Sequence, residues 1–297
     1  MTHPQTTLKL PNFIVIGAMR GGTTFLHRLL SQHPQIFMPR KKELLYFTNV
    51  YSANGTIDLA DYSARYFTEA TDQPAIGEAS PAYLYREWVP ELLRTHLPDA
   101  KLILSLRNPT DRAYSHYWWS VSKGEEYLSF EAALAQEPAR LATGVFRDRD
   151  IYSYTDRGYY MQQIARYLEY FPREQLNIIL FDDLRAHTQT MLDDLCAFLE
   201  IDPMTVPPET FKNSGDTPTP ERLYRGLTQV RKRIRRTSLP QQWRLINPIK
   251  RLQAQIPRTG QQPPMRPATR ALLEARFAEP NQALFDFLER PNLWLPE

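Results

Sequence analysis

The residues of this chain best suited to chemistry lie near its start. In Phe13-Ile-Val-Ile-Gly17-Ala-Met-Arg20-Gly21-Gly22-Thr23-Thr24-Phe25-Leu, an apolar strand runs into glycines and then into leucines at helical spacing. Strand, glycine loop and helix together make an anion site, because loop N–H groups and the helix N-terminus converge on one point. The spacing Gly17-x4-Gly22 followed by Thr23-Thr24 copies the ATP-binding P-loop with one change. Thr23 stands where the lysine belongs, and a cation, Arg20, stands inside the loop instead.

A second anion site is written at Leu102-Ile-Leu-Ser-Leu-Arg107-Asn-Pro109-Thr-Asp-Arg112-Ala-Tyr-Ser115. It puts a guanidinium at a strand end and a hydroxyl, Ser115, in the first turns of the next helix. Arg112 belongs either to this site or to a surface or helix pairing. Two phosphate sites on one sheet edge suit a nucleotide phosphorylated at both ends. Phe181-Asp182-Asp183 imitates the acid that holds Mg²⁺ in P-loop kinases and NTPases. Without the loop lysine it reads instead as a helix-capping or strand-end acid. A P-loop kinase or NTPase is thus one alternative, and a non-catalytic binder of nucleotide or polyanion is another. The six histidines show no metal-ligand spacing, so no metal is expected.

The elements that must position these groups alternate. Strands are expected at Ala75–Gly77, Lys101–Leu106 and Asn177–Phe181, and helices after Thr23, over Trp88–Leu97, after Thr110 or Asp111 and over Met161–Phe171. Residues 49–75 read as a loop with a short helix. The pattern implies an α/β fold with a P-loop-type central parallel β-sheet flanked by helices. The Gly loop, Glu78–Ser80, Arg107 and Asp182-Asp183 all fall at carboxyl ends of strands, where such sheets bind ligands. From Phe211 the texture changes. A turn-rich stretch at 213–220 and a basic run ending Arg231-Lys-Arg-Ile-Arg-Arg236 precede proline-rich 237–267, and a helical region around Leu272–Leu288 follows. We read residues 1–297 as a single domain, with a core over about 12–210 and a mostly helical C-terminal lobe over about 211–297.

The 297 residues are 42% hydrophobic and 12% aromatic, which is globular. A net charge of +3 and a pI near 8.9 suit an anionic ligand, and no recognition motif asks for nucleic acid. The basic run is as well explained by a solvated helix face as by steering of an anionic acceptor. The single cysteine, Cys196, lies on an amphipathic segment and reads as packing; no intrachain disulfide can form. No apolar run approaches a membrane span, and the expected location is the cytoplasm. His27 and His33 read as structural, and His116-Tyr-Trp-Trp119 as helix packing rather than a stacking wall.

Taken together, these motifs resemble the sulfotransferases that use 3′-phosphoadenosine 5′-phosphosulfate (PAPS), in their bacterial and heparan-sulfate type. The family's G-x-x-[KR]-x-G-T-T loop matches Gly17 to Thr24. Its R-x-P-x-x-R-A-x-S segment matches Arg107, Pro109, Arg112, Ala113 and Ser115. Its P-x-x-K-E-x-x-[YF]-F segment matches Pro39, Lys42, Glu43, Tyr46 and Phe47, and a G-x-Y … F-P-R-E-Q-[IL] stretch matches Gly158 to Leu176. The resemblance covers about residues 12 to 200. It implies PAPS as co-substrate, held by Arg20, Gly21, Gly22, Thr23 and Thr24 at the 5′ end and by Arg107 and Ser115 at the 3′-phosphate. It implies Glu43 as general base, beside the apolar run Leu44-Leu-Tyr-Phe47, with Arg20 and Lys42 stabilising charge. The expected acceptor is a hydroxyl, or failing that an amine, on a carbohydrate or small metabolite. Arg20 replaces the lysine of many members. Ala79 stands where the heparan-sulfate enzymes usually carry lysine, which argues against their acceptor.

Overall fold

The computed structural model describes residues 8–53, 55–208, 219–220, 222–235, 243–255, 258–259 and 262–295. The N-terminal Met-Thr-His-Pro-Gln-Thr-Thr segment, the turn-rich 213–218 and Arg236 at the end of the basic run lie outside the described residues. The chain divides into two compact units, Met1–Asn108 with Tyr159–Ser214, and Pro109–Gly158 with Gly215–Glu297.

The first unit is built on five parallel strands, β1 (Phe13–Gly17), β2 (Ile36–Phe37), β3 (Ala75–Ala79), β4 (Lys101–Leu106) and β5 (Leu176–Leu180), in the order β2-β3-β1-β4-β5. β1 and β3 are buried along their whole length, as a sheet covered on both faces requires. Helices are numbered along the chain. Phe13, Val15 and Ile103 face a core shared with α1 (Thr23–Leu30) and α10 (Thr188–Leu199). Cys196 is buried in this core, where burial raises its thiol pKa, consistent with packing. Ile14, Ile16, Leu102 and Leu104, also fully buried, alternate to the other face. The register sets Val15 beside Ala79 and Gly17 beside Leu104, so the loops leaving β1, β3 and β4 emerge together at the carboxyl edge. The connection leaving β1 goes to β2 on one side of the sheet and the one leaving β4 to β5 on the other, the arrangement that opens a ligand crevice.

Residues 49–75 hold more helix than expected: α2 (Tyr46–Ser52) and α3 (Leu59–Tyr66). Asp58 caps α3 by accepting hydrogen bonds from the N–H groups of Ala60 and Asp61. Tyr62 then stacks on Tyr46 at 4.5 Å, an aromatic contact between helices that no spacing in the sequence announces. The unit also carries α4 (Val89–His96), α8 (Tyr160–Leu168) and α9 (Phe181–Ala186). Asp182 and Asp183 fall in the first turn of α9, where negative charge suits the helix dipole.

The second unit contains α5 (Pro109–Ser122), α6 (Phe130–Leu141), α7 (Phe146–Tyr152), α11 (Arg222–Arg235), α12 (Trp243–Gln255) and α13 (Pro267–Phe287). α5 starts at Pro109, not after Thr110 or Asp111, because proline already has the φ of a first helical residue and needs no N–H there. Asp111 instead pairs with Arg270 at 2.7 Å. α12 crosses the proline-rich segment with Pro248 inside it, which hides the helix from a reading of breakers. Trp118 is buried against Tyr114, and His116 is fully buried with Nε2 3.1 Å from the Asp150 carbonyl.

Arg112 is no surface residue. It is fully buried, and Nη2 donates to the carbonyls of Ser153 and Tyr154. The carboxylate of Glu137, also buried, accepts from the N–H groups of Thr155 and Asp156. Burial raises the Glu137 pKa, against those N–H groups and the positive charge of Arg112. Arg157 completes the set, donating to Ser153 Oγ and Asp150 Oδ1. Arg112→Leu strips the partner from two buried carbonyls and removes the charge opposing Glu137. It should cost on the order of 3 kcal/mol of unfolding free energy, read as a lower urea midpoint.

Candidate active site

The loop between β1 and α1 is held open by the neighbouring strand. Ala18 N–H donates to the Ser105 carbonyl at 2.9 Å, and the Ser105 hydroxyl donates to the Gly21 carbonyl. A Cβ on Gly21 would stand 2.1 Å from the Ser105 carbonyl oxygen, so only glycine passes that close to β4. Gly22 adopts φ +92°, which turns the chain into α1. Thr23 and Thr24 open the helix, and their N–H groups lie at its N-terminus, where no intrahelical acceptor exists. Arg20, at φ 70°, occupies the left-handed region at the loop tip, a conformation a non-glycine residue adopts at a cost of about 1 kcal/mol or more.

Lys42 joins this loop to the Lys-Glu segment. Its Nζ donates to Thr23 Oγ1 at 3.2 Å and to Glu43 Oε1 at 3.2 Å. Burial lowers the Lys42 pKa, Glu43 opposes that shift, and the like charge of Arg20 adds to it. Two cations repelling each other beside a cluster of helix N–H groups make a place that an anion would relieve. The Lys42–Glu43 pair is not there for stability, since the Glu43 side chain is 56% exposed and such pairs contribute less than about 1 kcal/mol.

The apolar run after Glu43 does not enclose its carboxylate. Leu44, Tyr46 and Phe47 turn inward and are buried, while Glu43 turns outward. The segment achieves this with two left-handed residues, Glu43 at φ 61° and Leu45 at φ 52°. It is pinned to the end of β3 and the turn beyond: Glu43 N–H donates to the Ala79 carbonyl (2.9 Å), Leu45 N–H to Ser80 Oγ (3.0 Å) and Phe47 N–H to the Tyr83 hydroxyl (3.3 Å). Behind these lies Glu78, 1% exposed, accepting from Tyr62 OH and Ser80 OH at 2.7 Å each. Burial raises the Glu78 pKa, partly offset by its hydroxyl partners. The short Glu78-Ala-Ser80-Pro81 segment at a strand end signalled this place. Nothing in the sequence signalled Tyr62 or Tyr83.

Arg107 leaves β4 with its guanidinium over the Phe181 ring at 5.0 Å, and its carbonyl accepts from Tyr160 OH. The first unit therefore holds Arg20, Gly21, Gly22, Thr23, Thr24, Lys42, Glu43 and Arg107. Ser115 belongs to the second unit, buried on α5. His27 lies 3.2 Å from the Pro39 carbonyl and steadies the corner before Lys42; His33 contacts Gln35 and Asp202 backbone. Among the described residues, no three His, Cys, Asp or Glu side chains gather as metal ligands, and no helix is long and apolar enough to cross a membrane.

A parallel sheet with a glycine loop at its carboxyl edge and a Lys-Glu segment beside it gathers N–H groups and cations suited to an anion, and comparison with known proteins names the class. Residues 10–213 match the sulfotransferase domain, and the chain belongs to the sulfotransferase family. A membrane-associated sulfotransferase, kil1, of Dictyostelium discoideum is 30% identical over 270 aligned residues, covering 65% of this chain and 57% of the relative. The human bifunctional heparan sulfate N-deacetylase/N-sulfotransferase 2 is 31% identical over 208, covering 67% of this chain and 23% of the relative. The chain thus spans about half of the first relative and a quarter of the second. A crystal structure of a sulfotransferase from Alicyclobacillus acidocaldarius superposes with a TM-score of 0.70 at 29% identity, covering 96% of this chain and 99% of the other.

Glu78 also gives the fold a pH signature. With its folded pKa above the ordinary 4.5, its contribution to stability is present in full below that value and is lost as pH rises through the folded pKa. Glu78→Gln should therefore flatten the fall of unfolding free energy with pH above about 4.5, measured by urea titrations across that range.

Proposed function

We propose that the protein transfers a sulfuryl group from PAPS to a hydroxyl of a carbohydrate or small metabolite, with Glu43 as general base. The observation that carries the reading is Lys42, whose ammonium touches both the anion loop at Thr23 and the carboxylate of Glu43. One side chain therefore links the place suited to a phosphosulfate with the place suited to proton removal. Glu43, largely exposed and turned outward, takes the proton from the acceptor hydroxyl. The acceptor oxygen bonds to sulfur as the bond from sulfur to the 5′-phosphate oxygen breaks. Arg20 and the N–H groups of Gly22, Thr23 and Thr24 bear the charge left on that phosphate. A sulfuryl group carries less negative charge than a phosphoryl group, and the work left to the protein is positioning, electrostatics and deprotonation. Arg107 and Ser115 are the residues we assign to the 3′-phosphate, on the strength of the family motif they match. The cytoplasm remains our proposed location.

Two variants test the assignment. Glu43→Gln should bind 3′-phosphoadenosine 5′-phosphate in calorimetry as the wild type does, while sulfate transfer to a panel of phenols, glycosides and polysaccharides falls by a factor on the order of 10². Undiminished transfer removes Glu43 from the base role. Arg107→Ala should weaken that nucleotide far more than adenosine 5′-phosphate; equal losses for the two would show that Arg107 does not read the 3′-phosphate.

A further inference from the structure

Glu78 is costly where it stands. A carboxyl on the strand beside β1, all but removed from solvent, forms no ion pair among the described residues and faces hydroxyls. Its two oxygens are used separately: Oε1 accepts from Tyr62 on α3, and Oε2 from Ser80 just past β3. Because the Ser80 proton is committed to Glu78, the Ser80 oxygen presents lone pairs outward, and the Leu45 N–H donates to one at 3.0 Å. Tyr83, whose hydroxyl also interacts with Glu78 and Ser80, accepts from the Phe47 N–H. The carboxyl thereby fixes the polarity of the two hydroxyl bonds that reach the 43–47 segment from this side, beside the backbone bond from Glu43 N–H to the Ala79 carbonyl. That segment needs the help, since Glu43 and Leu45 are both left-handed without being glycine.

We propose that Glu78 is a positioning residue which, through Ser80 and Tyr83, holds the strained Glu43–Phe47 segment and so aims the Glu43 carboxylate. This rests on the reading of Glu43 as the base. A purely apolar residue at 78 would fill the space more cheaply but would leave the Ser80 hydroxyl free to rotate and offer its proton to the Leu45 N–H, which cannot accept it.

The test uses the full chain and separates the clamp from the base. In Ser80→Ala, amide hydrogen exchange at Leu45 should quicken by roughly tenfold or more while exchange in β1 and β4 stays unchanged. With whichever acceptor of the panel is sulfated, kcat should fall roughly tenfold to a hundredfold, with KM for PAPS and affinity for 3′-phosphoadenosine 5′-phosphate within twofold of wild type. Ser80→Thr, which keeps the hydroxyl, should restore both readings. Glu78→Gln should give the same split of kcat from KM where it folds; where it does not, the Ser80 pair decides alone. Unchanged exchange at Leu45 in Ser80→Ala, or quickened exchange with unchanged kcat, overturns the proposal. Glu43→Gln run alongside keeps the two failures apart: full turnover there defeats the base assignment itself, whatever the Leu45 amide does.

Discussion

Everything at the carboxyl edge depends on the grip of β4 on the glycine loop. The Ser105 carbonyl holds the loop's entry at Ala18, and its hydroxyl holds the exit at Gly21, so a single residue of the neighbouring strand sets the width of the turn. The grip exists because β1 sits between β3 and β4, with a register shift after Val15 that lets Gly17 fall level with Leu104. Fix that register, and the N-terminus of α1, the Lys42 ammonium and the end of β3 must converge. Relax it, and the close approach that only glycine permits at position 21 is lost.

Much of this was legible in the chain. The glycine spacing, the paired threonines and the strand-end arginine are local patterns whose chemistry depends on neighbours in sequence, and the structure puts Arg20, Thr23 and Arg107 on the expected edge. Parallel order followed from strands that are apolar on both faces. What escaped was what depends on partners distant in sequence. Tyr62 reaches Glu78 from a helix that the mixed composition of 49–75 disguised, and Tyr83 reaches Phe47 from a short turn. Arg112 read either as one more cation in a phosphate motif or as a surface or helix-pairing residue, and the backbone carbonyls that bury it lie some forty residues further on. The exposure of Glu43 was equally hidden, since two left-handed residues reverse the direction that an apolar neighbourhood suggests.

The two units use buried charge in different ways. In the second, Arg112, Glu137 and Arg157 fasten the 150–157 segment by bonding to its backbone and to one another's surroundings, which fixes a shape. In the first, Glu78 faces hydroxyls, and the hydroxyls face a strained turn, which fixes a direction. Neither arrangement is an efficient way to gain stability, because well-packed apolar side chains would do as well or better. Each instead excludes alternative conformations of the backbone it touches.

The anion loop also has a history written into its packing. Phe181 lies against Gly22, where a Cβ would come within 2.6 Å of its ring, and the same ring supports the Arg107 guanidinium. On the ribosome, β1 emerges first but can pair only after β3 and β4 have followed, since parallel strands offer no hairpin shortcut. The floor under the loop arrives later still, at the first residue of α9, just past the strand that closes the sheet. During synthesis the loop residues are thus present long before their support. β5 and the residue just past it supply the closing strand and the underside of the binding loop together, and α10 then completes the hydrophobic core.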